Sequence, residues 1–164
     1  MKPIRFTFFG IAMLAVIGLT ACCTTEEVVD GNIEPPKHLQ MKEINQGVLT
    51  GNGEEPVGFE RGYIIQSEKE WEILREKMNA VNFAQGEVSI DFEQSTVLAY
   101  FDKIRPNGGY SIEILQVTES DESIKAMVKS TAPTGMATDI MTQPFHIVTV
   151  AKTSKTVKFL PVTE

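Results

Sequence analysis

The chain has 164 residues, with 15 Lys or Arg and 22 Asp or Glu, so its formal net charge is −7. Such an acidic chain lacks the basic surface that binds a phosphate backbone, which argues against nucleic acid as a partner. Its two cysteines, Cys22 and Cys23, are adjacent. The rest of the chain therefore offers no disulfide, no thiolate metal site and no cysteine nucleophile, and its length suits one domain with a sizeable core.

The first 21 residues have the form of an export signal. Lys2 and Arg5 give a basic start, and an apolar run from Phe6 to Leu19 is too short to span a bilayer comfortably. The run ends in LTAC, residues 19–22, which resembles the lipobox of bacterial lipoproteins. An ordinary secretory signal whose cleavage region carries a cysteine is the alternative.

The lipobox resemblance implies that Cys22 is the lipidation site, with a diacylglycerol on its sulfur and an acyl chain on its new amino group. Several acyl chains anchor a protein stably, because a single chain binds a membrane only marginally. We expect no other cofactor. Cleavage before Cys22 removes two basic residues and no acidic ones, so the net charge moves from −7 to −9. We predict a lipid-anchored protein of the bacterial cell envelope, in the outer membrane, with its leaflet left open.

Residues 22–42 are predicted to form a flexible tether. This stretch combines acidic residues with a Pro-Pro pair and shows no apolar periodicity. The folded domain is predicted to extend from residue 43 to residue 164.

The domain is predicted to begin with two short strands and one helix. The strands are EINQGVL (43–49) and RGYIIQ (61–66), separated by a glycine-rich turn. Ser67 and Glu70 then form a capping box, which predicts a helix start. Apolar residues recur at helical spacing and predict one buried face, with the first as its core anchor: Trp71, Leu74, Met78 and Val81.

After the helix the apolar period changes from about 3.6 to two residues. TVLAYFDKI (96–104) is nearly continuous in apolar residues, as in a strand buried on both faces. Four further strands are predicted, the last two joined by a hairpin turn at residues 153–155: YSIEILQV (110–117), SIKAMVK (123–129), PFHIVTVAK (144–152) and TVKFLPV (156–162). The pattern predicts a mainly β, α+β fold: an antiparallel β-sandwich or open barrel with one packed α-helix.

The segment RPNGG, residues 105–109, is predicted to be a hairpin connection between TVLAYFDKI and YSIEILQV. Pro106 presets the backbone for the first turn position and Asn107 tolerates the second. Gly108 is expected to supply a positive φ, and Gly109 to permit a bulge or a close approach by another backbone. Turn chemistry accounts for this composition, while a rigid turn that bares its backbone is also suited to contacting a partner.

The order of these motifs resembles the C-terminal domain of the protease complex subunit PrcB and its lipoprotein relatives. The resemblance covers about residues 62–159, and Asn107 departs from it, since threonine is usual there. It implies a β-rich, non-catalytic accessory domain, named for a subunit that associates with and stabilises an exported subtilisin-like protease. The matching residues are Asp91, Phe92, Arg105, Pro106, Gly108, Gly109, Tyr110, Ile112, Ile114, Pro133, Gly135 and Pro144 to Val148.

The turn before Tyr110 is also similar to the Pro-Thr-Thr-Gly-Tyr loop of chagasin-type cysteine protease inhibitors. That family inserts three loops into a protease cleft, and its Arg-Pro-Trp loop has no counterpart in this sequence. A chagasin-like inhibitor is therefore kept only as an alternative function.

The sequence indicates no catalytic or metal site. His38 lies in the predicted tether, and His146 alternates with Phe145 and Ile147 on a strand. We expect the side chain of His146 to point away from the face that those two residues bury and to have a structural hydrogen-bonding role. No nucleophile elbow, phosphate loop or metal-binding helix motif occurs, so we predict a protein that is not an enzyme.

Two function classes remain. The first is a membrane-anchored accessory module that binds another exported protein, with a protease as one candidate. Its contact residues are predicted to be Arg105, Pro106, Asn107, Gly108, Gly109, Tyr110, Pro144, Phe145 and His146, and an open sheet edge offers a second mode, strand addition. The second class is a carrier of a small apolar ligand, with a cavity between sheet and helix lined by Leu98, Tyr100, Phe101, Phe145 and Phe159.

Overall fold

Eight strands and one helix form the part of the chain that the computed structural model describes, residues 35–50, 61–78 and 88–162. Cys22, Cys23 and Val81 lie outside these ranges, as does the predicted signal peptide. The strands are β1 Lys37–Leu39, β2 Lys42–Thr50, β3 Gly62–Ile65, β4 Ser95–Phe101, β5 Ser111–Glu119, β6 Ser123–Thr131, β7 Thr142–Ala151 and β8 Thr156–Pro161, and the helix is α1 Glu68–Lys77.

The strands form two four-stranded sheets that pack face to face. The outer sheet has the order β1-β5-β6-β8, and the central sheet has the order β2-β7-β4-β3. Neighbouring strands are antiparallel except for β6 and β8, which pair in parallel. The predicted mainly β sandwich with one packed helix is confirmed.

The two middle strands of the central sheet, β4 and β7, are buried on both faces. One face packs against the outer sheet through a cluster that includes Leu98, Val148 and Ile114. The other face packs against α1 through a cluster that includes Trp71 and Phe145. This layering explains the sequence pattern, because β4 and β7 are nearly continuous in buried residues, whereas β5 alternates between buried and exposed ones.

The capping box at the start of α1 holds the helix and the end of β3 together. The Ser67 side chain accepts a hydrogen bond from the Glu70 N–H, and the Glu70 carboxylate accepts one from the Gln66 N–H at 2.8 Å. That second hydrogen bond lowers the pKa of Glu70. Trp71 is 1 % exposed, which confirms it as a core anchor. Within the described ranges, no helix is long and apolar enough to cross a bilayer.

Two predicted hairpins are wrong, because the strands that they were meant to join lie in different sheets. β4 belongs to the central sheet and β5 to the outer sheet, so residues 105–109 cross between the sheets. Residues 153–155 likewise lead from β7 in the central sheet to β8 in the outer sheet. An alternating pattern predicts a half-buried strand but does not say which of two facing sheets receives it.

The folded domain also begins before residue 43. β1 pairs with the end of β5, with His38 opposite Thr118, and β2 starts at Lys42. Residues 37–42 are therefore part of the two sheets and not of the predicted tether. The short β1 was missed because three residues are too few to establish a period.

Candidate functional site

The segment Arg105–Tyr110, hereafter the crossover turn, is fixed to the beginning of β7. The N–H of Arg105 donates to the carbonyl of Thr142 at 2.7 Å, and the N–H of Thr142 donates back to the carbonyl of Arg105 at 3.0 Å. The Thr142 hydroxyl also donates to the carbonyl of Asn107 at 2.9 Å. These bonds make the turn a rigid corner between the sheets.

Its two glycines are required by the segment that covers them, residues 132–141. Gly108 donates its N–H to the Thr138 carbonyl at 2.9 Å, and a Cβ at Gly108 would overlap the Thr138 side chain. Gly109 has a φ of +84°, and a Cβ there would lie 2.8 Å from the Pro133 Cβ. The positive φ was predicted for Gly108 and belongs to Gly109, where glycine is favoured because L side chains rarely adopt that conformation.

The Arg105 side chain links the two sheets beside the turn. Its Nε and Nη2 atoms donate to Asp102 Oδ2 at 2.7 and 2.5 Å, and Nη2 also donates to the Ser130 hydroxyl at 2.9 Å. The guanidinium lies 4.4 Å from the centre of the Tyr110 ring, which is a cation–π distance. Because Asp102 follows β4 and Ser130 belongs to β6, this network stabilises the contact between the sheets.

The predicted contact residues differ widely in accessibility. Pro106 and Gly109 are exposed, while Arg105, Asn107 and Tyr110 are half-buried. Gly108 and residues 144–146 are buried. The prediction that Pro144, Phe145 and His146 contact a partner is therefore wrong for the packed domain, because β7 runs through the middle of a sheet that is covered on both faces.

His146 instead joins the two sheets from the inside. The Ile114 N–H of β5 donates to its Nδ1 atom at 2.8 Å. Gln46, the partner of His146 across β2 and β7, donates from its side-chain amide to the Ile112 carbonyl at 2.8 Å. β1 pairs with β5 only from Val117 onward. The side chains of His146 and Gln46 therefore supply hydrogen-bond partners to the part of the β5 backbone that β1 does not pair with.

This geometry requires a neutral imidazole with a free lone pair on Nδ1. Burial lowers the pKa of His146, and the charges of Glu43 and Glu113 oppose that effect only in part. The Glu43 carboxylate lies 3.4 Å from Nε2, an ion-pair distance that does not meet hydrogen-bond geometry. His146 thus has the structural hydrogen-bonding role that was predicted. It does point away from the Phe145 face, but the opposite face is buried as well.

Neither a metal site nor a carrier cavity emerges from the described part of the chain. No group of three or more His, Cys, Asp or Glu residues there has metal-binding proximity. The predicted cavity residues are divided between two separate clusters. Phe101 and Phe145 pack on the helix side, whereas Leu98, Tyr100 and Phe159 pack between the sheets, so they do not line one cavity between sheet and helix.

A different surface, hereafter the β3–α1 groove, lies along β3, which is the last described strand at one side of the central sheet. It has a volume of about 310 Å³. Ile73 of α1 is 55 % exposed on the helix side of the groove. Ile64 is 41 % exposed, but it alternates with Tyr63 and Ile65, which pack on the helix side, so its side chain lies on the opposite face of the sheet and only its backbone borders the groove. The lining residues from α1 are spaced as i, i+3, i+4 and i+7, so they share one helix face. The residues that line the groove are Tyr63, Ile64, Ile65, Glu70, Ile73, Leu74 and Lys77.

The backbone of β3 also faces this groove. The Arg61 carbonyl accepts a hydrogen bond from the Phe101 N–H, so Arg61 directs its backbone groups toward β4. Because these directions alternate in an antiparallel pair, Tyr63 and Ile65 also face β4, and the N–H and C=O of Ile64 face away from the sheet. The outward backbone groups of Ile64 thus border the groove.

The comparison with protein families finds one match, the PrcB C-terminal model, over residues 96–151. Residues 96–151 belong to the PrcB C-terminal family. The match extends from β4 to β7 and includes the crossover turn and the segment that covers it. The predicted resemblance is thereby confirmed over a shorter stretch than residues 62–159. No curated protein and no solved structure matches the chain. The β3–α1 groove lies outside the part that matches the PrcB C-terminal family.

Proposed function

We propose that this protein is a membrane-anchored, non-catalytic accessory module that binds an extended segment of another exported protein by strand addition to β3. The observation that carries this proposal is the β3–α1 groove, where the edge of β3 has no paired strand within the described ranges and lies beside an apolar helix face. An added strand satisfies its own backbone with the free groups of the edge, and its alternate side chains enter the groove.

The chemistry of the groove defines the segment that fits it. Ile73 and the half-buried Tyr63 offer apolar surface, so the entering side chains are apolar and recur at every second position of the partner. β3 has only four residues. The pairing is therefore short, and the apolar contacts with α1 supply much of the affinity.

The family supports an accessory role, since PrcB is named for a protease complex. A protease is accordingly the first candidate for the partner. The predicted lipid anchor at Cys22 confines the domain to proteins at the same membrane, which raises their effective concentration without any added contact.

The groove is tested by comparing Ile73→Glu with Leu115→Glu in intact cells. Leu115 lies on β5 in the outer sheet and is 40 % exposed, so it is a matched exposed aliphatic residue away from the groove. We expect Ile73→Glu to lower the recovery of the crosslinked partner by at least about tenfold, and Leu115→Glu to leave it unchanged. Both changes should alter the free energy of unfolding by less than about 1 kcal/mol, because both sites face solvent.

A photo-crosslinking residue placed in turn at Ile73, Leu115 and Pro106 identifies the contact surface directly. Strand addition in the groove requires a defined crosslinked species from position 73 and none from position 115. A species that forms only from Pro106 would place the contact at the crossover turn and contradict the groove as the interface.

The anchor is tested separately with Cys22→Ser. Without the thiol no diacylglycerol can be attached, so we expect the precursor to keep its signal and the protein to lose its lipid mass in mass spectrometry. Cys23→Ser is the matched control and should be processed and lipidated normally. Normal processing and lipidation of Cys22→Ser would show that Cys22 is not the lipidation site.

A further inference from the structure

A second concave site lies beside the C-terminal ends of β4, β6 and β8. It has a volume of about 240 Å³, below the roughly 300–1,000 Å³ range of sites for drug-sized ligands. Its floor is apolar and includes Ile112 and Val128, which are 3 % and 2 % exposed. We refer to it as the cationic cleft, because its rim carries Arg61, Lys103 and Arg105 against a single carboxylate, that of Asp102.

The charges of the cationic cleft are only partly neutralised. Asp102 accepts two hydrogen bonds from Arg105 and neutralises the charge of that guanidinium. The described lining of the cleft contains no second carboxylate to neutralise the charges of Arg61 and Lys103. Within residues 35–50, 61–78 and 88–162, neither of those two side chains forms an ion pair. In the described part of the chain, two cations without an acidic partner therefore lie beside an apolar floor.

Tyr100 supplies a polar group at the base of the cleft. The residue lines the cleft, is only 6 % exposed and packs its ring against Phe159, with ring centres 5.2 Å apart. Within the described ranges its hydroxyl forms no hydrogen bond to protein, and the hydroxyl is open to solvent. A hydroxyl that is free to donate, on a residue that lines the same cleft as Arg61 and Lys103, can join these two cations in binding an anion.

We infer that the cationic cleft binds a carboxylate that carries one short apolar group. Arg61 and Lys103 would pair with the carboxylate, and Tyr100 would donate a hydrogen bond to it. The apolar group would lie on Ile112 and Val128. The volume of the cleft has room for about one amino-acid residue. The C-terminal residue of a peptide and a free short-chain acid share this chemistry. This inference does not depend on partner binding in the β3–α1 groove.

The test is a titration of the full chain in detergent with N-acetyl-glycyl-valine, followed by amide shifts of Ile112, Val128 and Ser130 in NMR spectra. We expect saturable shifts, and no shifts with the C-terminal amide of the same dipeptide, because the amide has no charge to pair with Arg61 and Lys103. Butyrate is the second arm. The tighter of the two acids identifies whether the natural ligand is a peptide terminus or a free acid.

Three variants separate the carboxylate site from a nonspecific charge effect. Arg61→Gln and Lys103→Gln should each weaken binding by about tenfold, and Tyr100→Phe, which keeps the ring, by about threefold. Lys158→Gln on β8 makes the same charge change at an exposed position outside the cleft and should have no effect. Equal binding of acid and amide, equal binding of inorganic phosphate, or an equal loss in Lys158→Gln would overturn the inference.

Discussion

Replacing Gly109 by valine is expected to lower the free energy of unfolding by about 3 kcal/mol, since a β-branched residue strongly disfavours a positive φ. Gly109 has a φ of +84°, and a Cβ there would lie 2.8 Å from Pro133. The covering segment must therefore move or the crossover turn must change its backbone. Urea titrations followed by the fluorescence of Trp71, the only tryptophan of the chain and a fully buried one, measure the loss.

Gly135→Val is the matched control for this prediction. A Cβ at Gly135 meets nothing within 4 Å, so the change should alter the free energy of unfolding by less than about 0.5 kcal/mol. Equal stability of the two variants would mean that the tight packing between Gly109 and Pro133 does not constrain the fold. If the prediction holds, valine at Gly109 tests the architecture of the turn, and a loss of partner binding in that variant would not identify a contact.

Replacing His146 by leucine is expected to cost about 2 kcal/mol at neutral pH, because the buried N–H of Ile114 then loses its acceptor. The contribution of His146 also depends on pH. In the unfolded chain the imidazole takes up a proton as the pH falls below 6.5, whereas burial keeps the folded ring neutral to a lower pH. The unfolded state then binds more protons, so the free energy of unfolding falls as the pH drops below 6.5.

Urea titrations at about pH 7.5 and about pH 5.5 measure both effects together. Each proton that the unfolded state binds in excess of the folded state lowers the free energy of unfolding by up to about 1.4 kcal/mol per pH unit of acidification. The stability advantage of the wild type over His146→Leu should shrink at the lower pH, because the leucine variant lacks this titration. His38→Leu, at an exposed position on β1, should change the stability little at either pH. An advantage that stays constant or grows with acidity would contradict the neutral, buried imidazole.

The local structure of the domain was largely readable from the sequence. Ser67 and Glu70 marked the start of α1, because a capping box satisfies backbone donors within one turn of the chain. The alternation in YSIEILQV and SIKAMVK marked β5 and β6, because one face of the outer sheet meets solvent. The continuous apolar stretch of β4 likewise indicated burial on both faces.

The relation between these elements was not readable in the same way. RPNGG has the composition of a hairpin turn, yet it connects two sheets, because the same turn chemistry reverses a chain within one sheet or carries it to the facing one. His146 was placed correctly on the face opposite Phe145. Its burial depended on the outer sheet lying over that face, a contact made by β5 about thirty residues away in the chain.

The sequence by itself thus determined seven of the eight strands, the helix and the family of residues 96–151, since turn formers, caps and periodicity act over a few residues. Only the tertiary structure decided which surfaces are open. It buried Pro144, Phe145 and His146, and it brought Tyr63 beside Ile73 and Arg61 beside Lys103. Such surfaces depend on sheet order and on the packing of distant segments, which local patterns do not encode.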